Sequence, residues 1–527
     1  MHRRVAVPPT KPSVPWRRRT GVLACAIAAL AGMLSVTGGA LPAAADSRGD
    51  DRPRTVVTTD MEQDDYASLI RYLLYTDELD TQGIVYTSSK FHWSGDGKGT
   101  EFFLPDREYS TPQTSWRWTG TRTIQDQALS AYAEVYPNLR RHDPHYPAPD
   151  ELLSKVKIGN IEFEGEMAED TEGSDLIRDL LLDRDARPLY LQAWGGTNTI
   201  ARALKSIEER FAGTEQWPRV KDQVSRKAVI LASGLQDETY AKYIAPVWPD
   251  IRVQNMAAGY ATWGYNCSRG QGNVRGLPAD RVYFSGAWIK QNIQIGPLGS
   301  LYRSWLDGQS MPGDPLDIFG DPERAPSGWC KPLEPYDFLS EGDNVAFNPL
   351  LDTGIQDPDN PLLGSWGGRA TRTSTTPNLW TMVDTEKDGA GDDASDYTTL
   401  RWAGAAQNDF AARMRWTLTP RYGDGDHAPT VQILGGDTVR ARPGSTVALT
   451  GRAGDPDRTP VRLSWWQYRE EGTYPGTVTI TDRGHGRAAV TVPSDATPGQ
   501  TISVILQGTD QGTFPLTRYD RVIIRVV

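Results

Sequence analysis

The pattern of hydrophobic and polar positions in the first part of the chain predicts strands that alternate with helices. Residues 54–59 are rich in β-branched side chains and predict a strand, and residues 79–87 predict a second strand. Between them, apolar residues recur from Tyr66 to Leu74 with the spacing of a helix. Because a helix connects the two strands, we expect them to lie parallel in one sheet.

The same alternation recurs in the middle of the chain. Residues 188–193 and 227–232 predict buried strands, and residues 198–211 between them have the periodicity of an amphipathic helix. A Gly- and Pro-rich stretch follows, and residues 401–416 predict a closing helix. This alternation predicts an α/β domain over residues 54–422, built on an open, mostly parallel sheet with flanking helices.

The pattern changes after the polar segment 423–429, which is predicted to be a linker. Gly and Pro turns now separate short alternating segments, and these predict strands at 430–434, 446–451, 461–468, 487–492, 501–509 and 519–527. Short strands at this spacing predict an all-β, Ig-like sandwich over residues 430–527.

The N-terminus has the features of an export signal. Basic residues precede the apolar run 21–36, and small residues at 43–45 offer a cleavage site. The run is shorter than the roughly 20 residues that span a bilayer, so no stable membrane span is expected. We predict a signal peptide at 1–45, a linker at 46–53 and a secreted protein, with a retained anchor as the alternative.

The net charge and the cysteine content of the chain restrict its possible partners and disulfides. The formal net charge of -11 argues against nucleic acid as a partner, because nucleic-acid binding needs a basic surface. Removal of the signal also removes Cys25 and leaves Cys267 and Cys330. In an exported protein this pair favours one disulfide, with two free thiols as the alternative.

Three aspartates, Asp60, Asp64 and Asp65, lie between the first strand and the helix that follows it. Two structural interpretations exist, since Asp64 can cap the helix and Asp65 can favour its positive end. A cap needs only one of the three residues. Clustered carboxylates at the end of a strand suit a hard cation such as calcium, and ligands of open α/β sheets bind at this edge.

This segment resembles the opening motif of the nucleoside hydrolase family, Asp-Pro-Gly-x-Asp-Asp between a strand and a helix. The three aspartates match, while Met61 and Glu62 replace the Pro-Gly pair. The family's Gly-x-x-Thr-Asn turn resembles residues 195–198 here. Its late Asp, usually preceded by His, resembles Asp343, which follows Gly342.

The resemblance is closer to a bacterial branch of that family, described as cellulose-binding proteins with a nucleoside hydrolase-like domain. The stretches that resemble this branch cover nearly the whole mature chain and lie at residues 194–204, 340–344, 366–369 and 407–413, with 465–468 and 472–474 in the C-terminal module. The resemblance implies the same order of an α/β domain and an Ig-like domain.

The resemblance also implies roles for individual residues. One Ca²⁺ would be held by Asp60, Asp65, Asp343 and the carbonyl of Thr197, and Asp60 would be the catalytic general base toward a water molecule. Asp64 would bind sugar hydroxyls, and Asn198 is assigned to substrate binding with it. Apart from the resemblance, His92 can line the cleft, with a solvated loop as the alternative, and Trp194 can stack on a sugar, with core packing as the alternative.

Two main functions remain open at this stage. The first is a calcium-dependent hydrolase of N-glycosyl or related glycosidic bonds, acting on a small sugar-containing substrate. The second is a non-catalytic carbohydrate-binding protein that binds a polysaccharide such as cellulose. Purely structural calcium is a third interpretation. Alternation along the strand places Trp465 and Trp466 on opposite faces, so at least one of them is expected in a core.

Overall fold

The structure is a computed structural model that describes residues 52–256, 282–325, 334–383, 385–388 and 391–527. The predicted signal peptide and the cysteines Cys25, Cys267 and Cys330 lie outside these residues. No helix in the described part of the chain is long and apolar enough to cross a membrane.

The first region is built on an eight-stranded sheet in the order β3-β2-β1-β4-β5-β6-β8-β7. All neighbours in it are parallel except β7 and β8, which are antiparallel. Its strands are Arg54–Thr59 (β1), Asp80–Tyr86 (β2), Val156–Ile158 (β3), Leu189–Ala193 (β4), Ala228–Ala232 (β5), Arg252–Asn255 (β6), Ala370–Arg372 (β7) and Leu379–Met382 (β8).

Helices pack on this sheet and cover its apolar strands. They are Gln63–Leu73 (α1), Ser130–His142 (α2), Pro149–Ser154 (α3), Glu172–Leu182 (α4), Asn198–Phe211 (α5), Trp217–Lys227 (α6), Ala245–Val247 (α7), Gly286–Asn292 (α8), Gly296–Gly299 (α9), Asn344–Phe347 (α10), Tyr397–Leu400 (α11) and Ala403–Trp416 (α12). A small hairpin, Thr385–Lys387 (β9) with Asp393–Ser395 (β10), precedes α11. The predicted open α/β sheet is confirmed.

The strand order creates one switch point, between the neighbouring strands β1 and β4. From β1 the chain continues to β2 and β3 on one side, and from β4 to β5 and β6 on the other. Sheets of this kind bind ligands outside the carboxyl ends of the strands at the switch point, because the connections there diverge and leave a crevice. The aspartates after β1 lie at this position.

The C-terminal region is a sandwich of two four-stranded sheets, ordered β11-β13-β16-β15 and β12-β18-β17-β14. The strands are Thr430–Leu434 (β11), Thr438–Ala441 (β12), Thr446–Gly454 (β13), Arg462–Gln467 (β14), Thr479–Gly484 (β15), Arg487–Thr491 (β16), Thr501–Thr509 (β17) and Thr517–Val526 (β18). Pairing is antiparallel except between β12 and β18. The predicted strand-rich sandwich is confirmed, with β12 and β15 added to the predicted strands.

The sandwich packs directly against the α/β body. Tyr468 and Tyr519 are buried and belong to the same hydrophobic cluster as the helices of the body. Trp402, just before α12, meets Tyr519 edge-to-face with ring centroids 5.4 Å apart. The backbone N–H of Tyr519 donates to the Thr353 carbonyl at 2.9 Å. The two regions therefore share one core, although each also has apolar clusters of its own.

Candidate functional site

The site forms at the carboxyl ends of β1, β4 and β5. Asp60 follows β1 directly, and Gly195 lies just after β4, so close that a Cβ atom at Gly195 would be 3.0 Å from Asp60 Cγ. Ser233 follows β5, and its hydroxyl donates to an oxygen of Asp343, the residue that precedes α10. The sheet thus brings together residues that are far apart in sequence.

Asp60 is fully buried, and neither of its carboxylate oxygens has a hydrogen-bond partner among the described residues. Asp343 is also buried, and its Oδ2 atom likewise lacks a partner there, while Oδ1 accepts from Ser233. Buried carboxylates without partners are costly, because burial removes hydration and nothing replaces it. These three oxygens are therefore candidates for contact with a ligand.

The other acidic residues of the segment lie in the first turn of α1. Thr59 donates its hydroxyl to Asp65, and Ser340 donates to Asp64 Oδ2 at 3.3 Å. Glu62, Asp64 and Asp65 each offer an oxygen within 4.8 Å of the others. The N-cap residue of α1 is Glu62, and its side chain makes no capping hydrogen bond. Nothing in the local helix geometry therefore requires this number of acids.

Burial and mutual repulsion shift the acids toward their neutral forms. Burial raises the pKa of Asp60, and burial together with the charges of neighbouring carboxylates holds the pKa of Asp65 and Asp343 well above the usual value. The pKa of Glu62 is raised to about 7, first by burial and then by the charge of Asp60. A bound cation reverses this balance, because it compensates the negative charge.

His92 reaches this cluster from the long connection after β2. Its Nε2 atom lies 2.8 Å from Glu62 Oε2, and its Nδ1 donates to the Arg117 carbonyl at 2.7 Å. Burial lowers the pKa of His92, while the charge of Asp60 raises it. His92 therefore lies beside the acids, and its assignment to substrate binding stays a prediction.

Thr197 and Asn198 lie at the start of α5, and their polar groups already make several hydrogen bonds within the protein. The Thr197 carbonyl accepts the Ala201 N–H at 2.8 Å, which leaves one lone pair of that oxygen. Its hydroxyl contacts Asp237 at 3.1 Å. The Asn198 amide nitrogen donates to the Ser88 hydroxyl and to two carbonyls. The Asn198 side chain therefore fastens neighbouring loops together.

Trp194 is fully buried beneath the switch point. Its indole N–H donates to Gln192 at 3.0 Å, and its ring packs edge-to-face on Tyr72 and against Phe347. These contacts place Trp194 in the hydrophobic core. The assignments of Trp194 and Asn198 to substrate binding stay predictions.

Two contributors were not identified from the sequence. Ser233 holds Asp343, and Glu62 joins the acids to His92. Ser233 follows the predicted strand 227–232 directly, so its position at the ligand-binding edge was a usable signal. Glu62 was noted only as a departure from a motif, although a carboxylate among three others is itself a signal of cation binding.

The donor set of the site consists of oxygen atoms. Carboxylates from the residue after β1, from α1 and from the residue before α10 converge. No Lys or Arg in the described part of the chain forms an ion pair with Asp60, Asp65 or Asp343. Hard divalent cations prefer such oxygen ligands. The unpartnered oxygens of Asp60 and Asp343 therefore fit a metal ion better than they fit a closed polar core.

Two family models match the chain. Residues 54–370 match the model described as cellulose-binding Sde182, nucleoside hydrolase-like domain. Residues 446–526 match the model described as cellulose-binding protein Sde0182, C-terminal domain. No curated protein matches the chain.

Among solved structures, the chain is similar to a nucleoside hydrolase-related hypothetical protein from Saccharophagus degradans, described as associated with carbohydrate metabolism. That similarity has 25% sequence identity and a TM-score of 0.65, and it covers 90% of this chain and 100% of the other. A plant nucleoside hydrolase, PpNRh1, matches with 9% identity and a TM-score of 0.29 over 70% of this chain and 99% of its own.

Proposed function

The chain belongs to the nucleoside hydrolase-like family of cellulose-binding Sde182 proteins, and from that premise we propose that it is a calcium-dependent hydrolase of glycosidic bonds. The bonds are N-glycosyl or related linkages in a small sugar-containing compound. The signal-like residues 1–45 support export, so the proposed substrate is met outside the cytoplasm.

One observation carries this proposal: both oxygens of the fully buried Asp60 lack a hydrogen-bond partner among the described residues. An aspartate kept only for stability would be expected to accept hydrogen bonds from the protein. An aspartate that acts on a ligand needs free oxygens. Asp60 also lies at the switch point of the sheet, where ligands of this architecture bind.

The proposed ligands of calcium are Asp60, Asp65, Asp343 and the carbonyl of Thr197. When bound, the ion would lower the pKa of a coordinated water and orient it for attack. The Asp60 carboxylate would accept a proton from the attacking water, because its oxygens have no hydrogen-bond partner among the described residues. Asp64, whose Oδ2 atom accepts a hydrogen bond from Ser340, would bind hydroxyl groups of the sugar.

The departing group receives no proton from residue 342. Nucleoside hydrolases often use a His there, and Gly342 has no side chain that can donate one. Nucleosides, whose bases leave poorly without a proton, are therefore less suited to this site than glycosides with good leaving groups. Water attacks the anomeric carbon through an oxocarbenium-like state, and the bond to the leaving atom breaks.

The test is hydrolysis of a panel of aryl glycosides and nucleosides by the wild type and the Asp60→Asn variant. We expect the substitution to lower kcat/KM about 10²- to 10⁴-fold, the range for loss of a general base. Chelation should abolish activity and added Ca²⁺ should restore it. Asp222→Asn, which removes a surface carboxylate paired with Arg226, is the control. Full activity of the Asp60→Asn variant under chelation contradicts the proposal.

A second candidate function is non-catalytic binding of a polysaccharide. It is favoured by Gly342 and by the description of both matched families as cellulose-binding. It predicts that wild type and Asp60→Asn sediment equally with cellulose, and that neither releases product from any glycoside. Turnover that depends on Asp60 would decide for the hydrolase.

A further inference from the structure

Two buried histidines meet where the α/β body continues into the sandwich. His142 is the last residue of α2, and His427 lies in the segment that connects α12 with β11. Each residue is 6% exposed, and neither takes part in the hydrolysis proposed above. Histidine changes its charge near neutral pH, so a buried pair at this position is a candidate for a pH-sensitive contact.

The two rings belong to one chain of hydrogen bonds that runs from the body to the sandwich. His142 Nδ1 lies 3.0 Å from His427 Nε2. On the body side, His142 Nε2 lies 2.8 Å from the carbonyl and 2.9 Å from the hydroxyl of Thr419. On the sandwich side, His427 Nδ1 lies 3.0 Å from Asp457 Oδ1, in the loop after β13. The histidine pair therefore fastens the connecting segment to α2.

This chain has room for only one proton between the two rings. The contact between His142 Nδ1 and His427 Nε2 is a hydrogen bond only if one nitrogen donates and the other accepts. His427 Nδ1 faces a carboxylate, which accepts, so that nitrogen carries a hydrogen. If both rings were charged, two N–H groups would face each other at 3.0 Å. The closed arrangement is therefore incompatible with protonation of both rings.

Aromatic rings and the connecting segment enclose the pair. The His142 ring stacks on the Trp416 indole with ring centroids 5.2 Å apart, and the His427 ring stacks on Tyr422 with centroids 3.8 Å apart. A Cβ atom at Gly425 would lie 2.6 Å from His142 Cε1, so the backbone of the segment passes directly against this ring. Separation of the two rings must therefore displace the connecting segment.

Charged groups face the pair from every element packed against it. They are Asp143 after α2, Arg413 on α12, Asp424 and Asp426 on the connecting segment and Asp457 on the loop after β13, with the Tyr422 hydroxyl as a further titratable group. Burial lowers the pKa of His142, and the charge of His427 lowers it further. Burial also lowers the pKa of His427, although the charges of Asp457 and Asp426 raise it. The closed junction therefore resists the second proton.

We propose that His142 and His427 form an acid-sensitive latch, which holds the connecting segment against α2 at neutral pH and releases it in acid. When the second ring takes up a proton, the N–H···N bond between the rings is lost and the segment moves away. A histidine whose pKa is lowered on folding contributes stability above its ordinary pKa of 6.5, and this stability is lost as pH falls.

The first test compares urea unfolding of the mature wild type and His142→Asn from pH 8 to pH 5. Asn places an oxygen near the position of Nδ1, which accepts the His427 N–H but takes up no proton. Between pH 6.5 and 5.5, we expect the unfolding equilibrium constant of the wild type to rise about tenfold relative to that of the variant, which is the effect of one extra proton. His145→Asn is the control, because His145 pairs with Asp143 outside the latch and should keep the wild-type pH dependence.

Nuclear magnetic resonance of the wild type detects the latch directly and does not depend on the stability of a variant. The Trp416 indole N–H donates to the Asp426 carbonyl of the connecting segment at 3.0 Å. We expect the signal of this N–H, assigned with Trp416→Phe, to shift toward that of an unbonded indole as the ¹³C-labelled ring of His142 is protonated. A Trp416 signal that stays unchanged while both rings are protonated would overturn the proposal. So would the same pH dependence of unfolding in the wild type and His142→Asn.

Discussion

A buried carboxylate at the domain junction is surrounded by hydrogen-bond donors, whereas a buried carboxylate at the carboxyl edge of the sheet is not. At the junction, Asp409 accepts hydrogen bonds from Tyr75 at 2.9 Å, from Arg413 at 3.1 Å and from Arg518 at 2.7 Å. At the sheet edge, Asp60 has no hydrogen-bond partner among the described residues. The protein can compensate a buried carboxylate completely, so its failure to do so at Asp60 indicates that the partner comes from outside.

The pKa values of Asp409 at the junction and Asp343 at the site also shift in opposite directions. Burial alone would raise the pKa of Asp409, but Arg518 and Arg413 hold it below the usual value. The pKa of Asp343 is instead held well above it by burial and by the charge of Asp64. Asp409 is therefore stable in its ionised form, whereas Asp343 is disfavoured in that form unless a cation is bound.

The largest expected effect on stability comes from removing an arginine that compensates the buried carboxylates at the domain junction. Arg413 donates to Asp77 at 2.8 Å and to Asp409, and it also contacts Glu78. Arg413→Ala should lower the free energy of unfolding by about 3 to 5 kcal/mol, because it leaves buried carboxylates unpaired. Urea unfolding measures this. Arg415→Ala, which loses only a surface bond to the Gln291 carbonyl, should change little. Equal losses in both variants would contradict the comparison.

A smaller effect on the free energy of unfolding, whose size depends on pH, is expected at the site. In chelator, a group whose pKa is raised on folding contributes stability below its unfolded value of about 3.8, and loses it as pH rises through the folded value. Asp343→Asn should therefore be more stable than wild type at pH 8 by about 1 to 3 kcal/mol, but not at pH 4.

Calcium should reverse that order. The proposed site would bind Ca²⁺ with ionised carboxylates, so saturating Ca²⁺ at pH 8 should make the wild type more stable than Asp343→Asn. Thermal unfolding at both pH values, with chelator and with Ca²⁺, gives the four comparisons. A variant less stable than wild type in chelator at pH 8 would show that Asp343 is compensated by the protein after all.

The smallest expected effect comes from crowding Asp60 without removing a ligand. Gly195→Ala would place a Cβ atom 3.0 Å from Asp60 Cγ, tighter than normal packing, so the carboxylate must shift. We expect Ca²⁺ affinity to fall about tenfold, which is about 1.4 kcal/mol, with a folded protein. Gly423→Ala, where a Cβ meets no atom within 4 Å, is the control. An unaltered Ca²⁺ affinity in Gly195→Ala would indicate that Asp60 is not a ligand of the ion.

Strands with several consecutive apolar or β-branched residues were predictable. Segments 54–59 and 188–193 became β1 and β4 within a residue, because their β-branched and apolar residues follow one another in runs of strand length. Arg252–Asn255 was missed, since four residues of mixed polarity carry no period. Val156–Ile158 is shorter still. Such strands are defined by pairing with a neighbour, which depends on residues far away in sequence.

The acidic residues of the site could be predicted from the sequence, but the side chains that surround them could not. Asp60, Asp64 and Asp65 lie within one turn, so their proximity follows from the sequence alone. That Asp60 has no partner, and that Trp194 is covered by Tyr72 and Phe347, depends on distant segments.

The tryptophans of the sandwich illustrate the same limit. Alternation correctly separates Trp465 and Trp466, and Trp465 packs on the sandwich core. Trp466 instead packs against the core shared with the body. A strand pattern shows that a side chain points outward, but it cannot show that another domain covers that face.

Because the α/β body and the sandwich share the core around Tyr468 and Tyr519, neither region is expected to be stable without the other. Cutting the chain between them would uncover an apolar face on each half, and exposed faces of that kind promote aggregation. A sandwich with such a face cannot be exchanged freely among unrelated enzymes in the way that tethered modules are. We expect substitutions on the two sides of the junction to be coupled in their effect on stability, because they share one core.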